Sequence, residues 1–147
     1  MTTNKSIFAQ QREFMEACDL PASPSPCFQT NQYLLWMGLI REEWDEFIEA
    51  ANNLHHWPFR HHYQVWANSA QEAIDLIYVL CGYLNALGMC PEAVWNEVQR
   101  ANMDKVGPDG KVTKNLQGKV LKPEGWERAN IYSIMKNAVE ESDADVE

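Results

Sequence analysis

The sequence predicts an all-α fold: a bundle of four to five helices with a short flap or hairpin after the fourth core helix. Three observations predict it. Apolar residues recur at helical spacing in four successive segments between Ile7 and Lys105. Those segments are separated by helix stops and starts, chiefly Pro21 to Pro26, Pro58, and the Gly88–Pro91 pair. Strand-like runs are confined to Lys111-Val112-Thr113 and Lys119-Val120-Leu121, either side of a turn at Gly118.

Ile7 to Cys18 reads as a first amphipathic helix, with Ile7, Phe8, Phe14, Met15 and Cys18 forming its stripe. Three prolines between Pro21 and Pro26 end it in a loop. Gln32 to Asn53 is the second helix and holds the densest acidic run, Arg41-Glu42-Glu43-Trp44-Asp45-Glu46-Phe47-Ile48-Glu49. At 100° per residue, Trp36, Leu39, Ile40 and Phe47 define one arc; Glu43 falls inside it and Glu46 on its edge, whereas Arg41 and Asp45 face solvent. A buried carboxylate costs several kcal/mol unless paired or bound to metal.

The segment from Leu54 to His62 carries all four histidines but is broken by Pro58. The i, i+4 spacing of helical zinc motifs is therefore lacking, and the segment reads as a loop whose His side chains, Trp57 and Arg60 either line a pocket or stay solvated. Gln64 to Leu87 is a third helix, apolar on nearly every side and so expected to be central, with Gly88 as its stop. Near its start, Glu72-Ala73-Ile74-Asp75 places two acids on neighbouring positions of one face. Pro91 to Lys105 is the fourth helix, with Ala93, Val94, Val98 and Ala101 inward. Trp126 to Ala138 reads as a short last helix. Residues 1–138 are thus expected to form one domain and 139–147 an acidic, frayed tail.

Composition narrows the function. The chain of 147 residues suits one core, and its formal net charge of −9 argues against wrapping nucleic acid or binding an anionic membrane surface. No apolar run approaches the ~20 residues of a membrane span, and no secretory leader is visible. The four cysteines, without C-x-x-C spacing, read as reduced thiols of a cytoplasmic protein. Two helices each present an acid pair inward with no Lys or Arg in either arc, so a hard divalent cation, Mg²⁺ or substituting Mn²⁺, is the expected counter-charge. Neither a P-loop nor a G-x-G-x-x-G is present.

The acid pairs Glu43-x-x-Glu46 and Glu72-x-x-Asp75, in the fuller form Glu42-Glu43-x-x-Glu46, resemble the E-x-x-E … E-x-x-D signature of the all-α nucleoside triphosphate pyrophosphohydrolases. This is the MazG-like and phosphoribosyl-ATP pyrophosphohydrolase-like group. Asn102-Met103-Asp104-Lys105 resembles its N-M-x-K element, and Asp109-Gly110-Lys111 with Gly118-Lys119 resembles the turns that follow. The resemblance implies Mg²⁺-dependent cleavage of a (d)NTP to (d)NMP and pyrophosphate for nucleotide-pool housekeeping. Glu43, Glu46, Glu72 and Asp75 would be metal ligands and Glu42 the base for the attacking water. Asn102 and Lys105 would contact substrate, and Trp44 and Tyr78 would stack on a base or fill the core. The lysines Lys111, Lys114, Lys119 and Lys122 form either a solvated loop or a flap in which Lys119 and Lys122 meet phosphate or a neighbouring subunit. Phosphoribosyl-ATP pyrophosphohydrolysis and a non-catalytic metal-binding bundle are the alternatives. The apolar third helix and the resemblance together imply a homodimer or a dimer of dimers.

Overall fold

The computed structural model of the chain describes residues 5–145. It contains five helices and, among the described residues, no strand: α1 (Ile7–Ala17), α2 (Thr30–His56), α3 (Tyr63–Ala86), α4 (Pro91–Met103) and α5 (Ile131–Ala144). The expected all-α class, with a short flap after the fourth helix, is what the chain adopts. It divides into two compact units, Met1–Met89 and Cys90–Glu147.

The first unit is built on α3, which packs against α2 along its length and against α1. Met15, Trp36, Val79 and Ala86 form its core, flanked by Leu20, Ala22, Leu39, Ile40, Leu76 and Tyr83. Two levels fix the register of the antiparallel α2–α3 pair. Trp36 lies over Gly82, where an added Cβ would fall 2.0 Å from the indole ring. Ten residues along α2 and ten back along α3, Glu46 lies beside Glu72.

A polar lock fixes α1 on α3. Asn85, 1% exposed, donates to the Phe8 carbonyl at 2.9 Å and to Gln11 Oε1 at 2.8 Å, and its Oδ1 accepts from Arg12 Nη2 at 3.0 Å. The end of α3 is a Schellman motif: Met89 N–H donates to the Leu84 carbonyl, Gly88 N–H to that of Asn85, and Gly88 has φ +64°. The proline-rich loop is tied to this same end, with Ser23 and Cys27 N–H donating to the Asn85 and Leu87 carbonyls.

The expectation that α3 is central holds only for its C-terminal half, where Val79, Cys81, Gly82, Asn85 and Ala86 are buried. Its N-terminal half leaves Trp66 and Ile74 exposed, and Ile77, just past the midpoint, is exposed as well. The reason is length. The 11 residues of α1 reach about 16 Å, against about 36 Å for the 24 of α3.

In the second unit, α4 buries Pro91 and Ala101, while Val98, expected inward, is exposed. Trp126 donates from Nε1 to the Ala101 carbonyl at 2.6 Å, so it anchors the segment before α5 and does not begin the helix. That helix starts instead at Asn130, whose side chain accepts from Ser133 N–H. It continues past Ala138 into the residues expected to fray, with Lys136 and Glu140 pairing at i, i+4. Between α4 and α5 lie two isolated antiparallel bridges, Val106 with Val112 and Lys114 with Val120. The second is the expected hairpin, tightened by Asn115, whose Oδ1 accepts from the backbone of Gln117 and Lys119.

Candidate active site

Helical spacing on α2 and α3 brings the acids together. Glu43 and Glu46 are one turn apart on α2, Glu72 sits opposite on α3, and each offers a carboxylate oxygen within 4.8 Å of the others. Glu43 and Glu72 are half-buried and Glu46 is exposed, as the helical wheel placed Glu43 in the apolar arc and Glu46 on its rim. Asp75, half-buried one turn on from Glu72, lies outside this close triad but within electrostatic reach of it. Glu42 is exposed beside the group.

The electrostatics are those of uncompensated like charges. Desolvation, then repulsion from Glu46, Asp75, Glu72 and Glu42, pushes the Glu43 carboxyl above its ordinary value. Desolvation, followed by Glu46 and Asp75, does the same to Glu72. Among the described residues no Lys, Arg or His lies within ion-pair distance of these acids. An all-oxygen, anionic, partly desolvated donor set of this kind fits a hard divalent cation. No group of histidines or cysteines with ligating geometry occurs among the described residues.

Glu46 and Glu72 also line a cleft of about 420 Å³ between α2 and α3. Glu49, Ala50 and Asn53 of α2, Val65 and Asn68 of α3, and Trp57 of the connecting loop complete it. Glu49, Asn53 and Asn68 are lining residues that the acid-pair signature does not include. The signal was present: Glu46, Glu49 and Asn53 follow one another at i, i+3, i+7 on one face. Of the two alternatives for Trp57, lining a pocket or staying solvated, the structure has it line this cleft. His55 and His56, assigned to that loop, form the last turn of α2.

The expected substrate contacts fall elsewhere. Trp44 packs by Phe47 and Tyr78 meets Phe14 edge-on at 5.8 Å; neither lines the cleft. Asn102, at the end of α4, accepts from Lys105 Nζ at 2.7 Å. Lys105 and Lys122 both lie over the Trp126 ring, at 5.3 and 4.4 Å. Together with Lys111 they line a second cleft of about 650 Å³, within the second unit. Lys119 is not among its lining residues.

No curated protein matches the chain. A family model, that of phosphoribosyl-ATP pyrophosphohydrolase, matches residues 12–102, more than half of the chain. The matched segment holds the carboxylate triad, Asp75, the whole α2–α3 cleft and Asn102, and stops short of Lys105 and the lysine flap. With all-helical architecture, paired acids on two antiparallel helices and this match in hand, the chain belongs to the phosphoribosyl-ATP pyrophosphohydrolase family, within the MazG-like superfamily of all-α nucleotide pyrophosphohydrolases.

Proposed function

We propose that the chain is a Mg²⁺-dependent nucleoside triphosphate pyrophosphohydrolase, with Mn²⁺ able to substitute, that cleaves a (d)NTP to (d)NMP and pyrophosphate in the cytoplasm. The observation that carries this reading is the Glu43–Glu46–Glu72 triad, whose oxygens converge within 4.8 Å and have no cationic partner among the described residues. A bound divalent cation supplies charge neutralisation on the phosphate oxygens and on the pyrophosphate that leaves. Glu43, Glu46 and Glu72, with Asp75, hold it. Glu42, exposed at the edge of the group, takes the proton of the attacking water. Asn102 and Lys105 are assigned to contacts with the base, sugar or phosphate of the substrate, and Lys119 and Lys122 to phosphate or a neighbouring subunit; support comes from the lysine-lined cleft of the second unit for Lys105 and Lys122. The working form is a homodimer or a dimer of dimers, supported by apolar side chains left exposed on α2 and α3.

The family's own name favours a second reading, hydrolysis of phosphoribosyl-ATP, which uses the same metal chemistry. One assay separates the readings. Pyrophosphate release is measured on the eight common (d)NTPs and on phosphoribosyl-ATP, with Mg²⁺, with Mn²⁺ and with chelator. Release from (d)NTPs that chelator abolishes is the expected result; release from phosphoribosyl-ATP alone selects the second reading. Release from none leaves a non-catalytic metal-binding bundle. Glu46→Ala and Asp75→Ala are expected to lower turnover by about a hundredfold or more. In metal-free buffer they should leave stability unchanged or raised, because each removes one of several crowded like charges. Wild-type turnover in either variant removes that residue from the site.

A further inference from the structure

Trp126 joins two stretches of the second unit that each carry a lysine. Resting on the reading above for its place in the reaction, we propose that Trp126 is a positioning residue: it holds Lys105 and Lys122 as a paired clamp for a di- or triphosphate chain. The local chain dictates the arrangement. Trp126 N–H donates to the Pro123 carbonyl at 3.1 Å, and Gly125 has φ +75°. That is a β-turn whose third position favours glycine, and it folds the tryptophan back toward Lys122. Nε1 then donates to the Ala101 carbonyl near the end of α4 at 2.6 Å. The half-buried ring has the Lys122 ammonium 4.4 Å from its centre and that of Lys105 at 5.3 Å. Each lysine is steadied further. Lys105 Nζ donates to Asn102 Oδ1 at 2.7 Å, and Leu121 N–H, next to Lys122, donates to the Thr113 carbonyl at 2.8 Å.

Charge says what the clamp is for. Two ammonium groups drawn to one ring repel each other, and among the described residues neither has a carboxylate within ion-pair distance. The acids of their cleft do not make up the difference. Asp104 is paired with Arg100 at 2.5 Å, and Asp109 Oδ1 accepts from the backbone N–H of Lys111 at 3.0 Å. The cleft of about 650 Å³ therefore sets Lys105, Lys111 and Lys122 against one unpaired acid, on a chain whose net charge is −9. An anion placed between the two ammonium groups removes their repulsion, and each keeps N–H donors to offer it. Adjacent phosphoryl groups can each face one ammonium, so a phosphate chain is favoured over a single phosphate. Lys122 thus serves the clamp of its own chain, while Lys119, absent from the cleft lining, stands outside it.

The test uses the full chain in metal-free buffer at low salt, with inorganic pyrophosphate as the probe and calorimetry as the readout. Pyrophosphate is expected to bind about tenfold or more tightly than monophosphate, and Lys105→Gln or Lys122→Gln to weaken it by about tenfold. Lys136→Gln, on α5 and paired with Glu140, should leave it unchanged. Trp126→Leu should cost as much as the loss of a lysine, whereas Trp126→Phe, which keeps a ring face, should retain most of the affinity. With Mg²⁺ and a (d)NTP, Trp126→Leu should raise KM by about tenfold and leave kcat within about twofold, because the acids are untouched. No pyrophosphate binding by the wild type, or equal weakening by Lys136→Gln, overturns the clamp while leaving pyrophosphohydrolysis intact. Equal losses in Trp126→Leu and Trp126→Phe assign the effect to the Nε1 anchor and overturn the role of the ring. An unchanged KM in Trp126→Leu overturns its place in the reaction. Pyrophosphate binding that follows these variants in a chain that hydrolyses no nucleotide upholds the clamp and rejects the enzymatic reading. Should Trp126→Leu lose its helical circular dichroism, the lysine variants and Trp126→Phe still decide the matter.

Discussion

Gly82 sits where the α2–α3 pair comes closest. A Cβ there would meet Trp36 Cζ3 and Cη2 at 2.0 and 2.2 Å and Gln11 Nε2 at 2.7 Å. The indole is 3% exposed and Gln11 fully buried, so neither has room to retreat. Replacing glycine by alanine inside a helix ordinarily gains about 1 kcal/mol. Overpacking a core ordinarily costs about 1–3 kcal/mol, and here the contact is with a rigid ring. Strain is the larger effect, so Gly82→Ala should lower the urea midpoint; an unchanged or higher midpoint would show that the ring can shift. The consequence reaches the site, because Trp36 over Gly82 sets the register that places Glu46 beside Glu72 ten residues away. Glycine in a helix reads from sequence as a mild weakness. Its necessity comes from a residue 46 positions earlier in the chain, and no local pattern carries that information.

At the scale of elements, what was legible is what depends on neighbours in sequence. The stripe of Trp36, Leu39, Ile40 and Phe47, the inward turn of Glu43 and the stop at Gly88 follow from 3.6-residue periodicity and backbone stereochemistry. The cleft was not legible, because its walls are the last turns of one helix, the first turns of the next and a tryptophan between. The start of α5 was misread for a related reason: Trp126 looks like the first apolar residue of a helix, yet its indole is engaged by the Ala101 carbonyl. What holds α5 is Glu97 of α4, whose Oε1 accepts from the Asn130 backbone N–H at 2.8 Å. The hydrogen bond from Arg100, and then that from Asn130, lower the Glu97 carboxyl from 4.5 to about 2. Because the folded value lies below the ordinary one, the stabilisation is complete above pH 4.5 and is lost as pH falls toward 2. Glu97→Gln should therefore be less stable than the wild type at neutral pH, and the gap should close over that window. A gap independent of pH, in parallel urea titrations, would mean that the carboxylate charge is not what holds the α5 entry.

At the scale of the whole molecule, the apolar surface left over by the first unit forms two stripes. On α3, Trp66, Ile74 and Ile77 lie within an arc of about 80° and are 47%, 59% and 45% exposed. They continue the line that α1 covers further along, where Tyr78 meets Phe14 and Cys81 is buried. On this face Ile74 and Tyr78 are exposed and Cys81 is buried. On α2, Leu34, Met37, Trp44 and Ile48 occupy a second arc of about 80°, turned away from the buried face that holds Trp36 and Ala50. Single exposed apolar residues are ordinary, but seven large ones in two helical stripes form a surface that water covers at a cost. A second copy is the occupant that fits best. The stripes lie on the two helices that carry the acids, and a two-fold axis would set like stripes against each other without burying any of those acids against a like charge. Such an interface would also make rigid the helix pair whose register the site depends on. Light scattering at micromolar concentration should give twice the chain mass of 16.9 kDa or a further multiple. Ile48→Glu and Ile77→Glu, each placing a charge in one stripe, should shift that value toward the single chain while far-ultraviolet circular dichroism keeps its helical signal. A wild type that scatters as 16.9 kDa rejects the dimer, and a charged variant that remains paired moves the interface off that stripe.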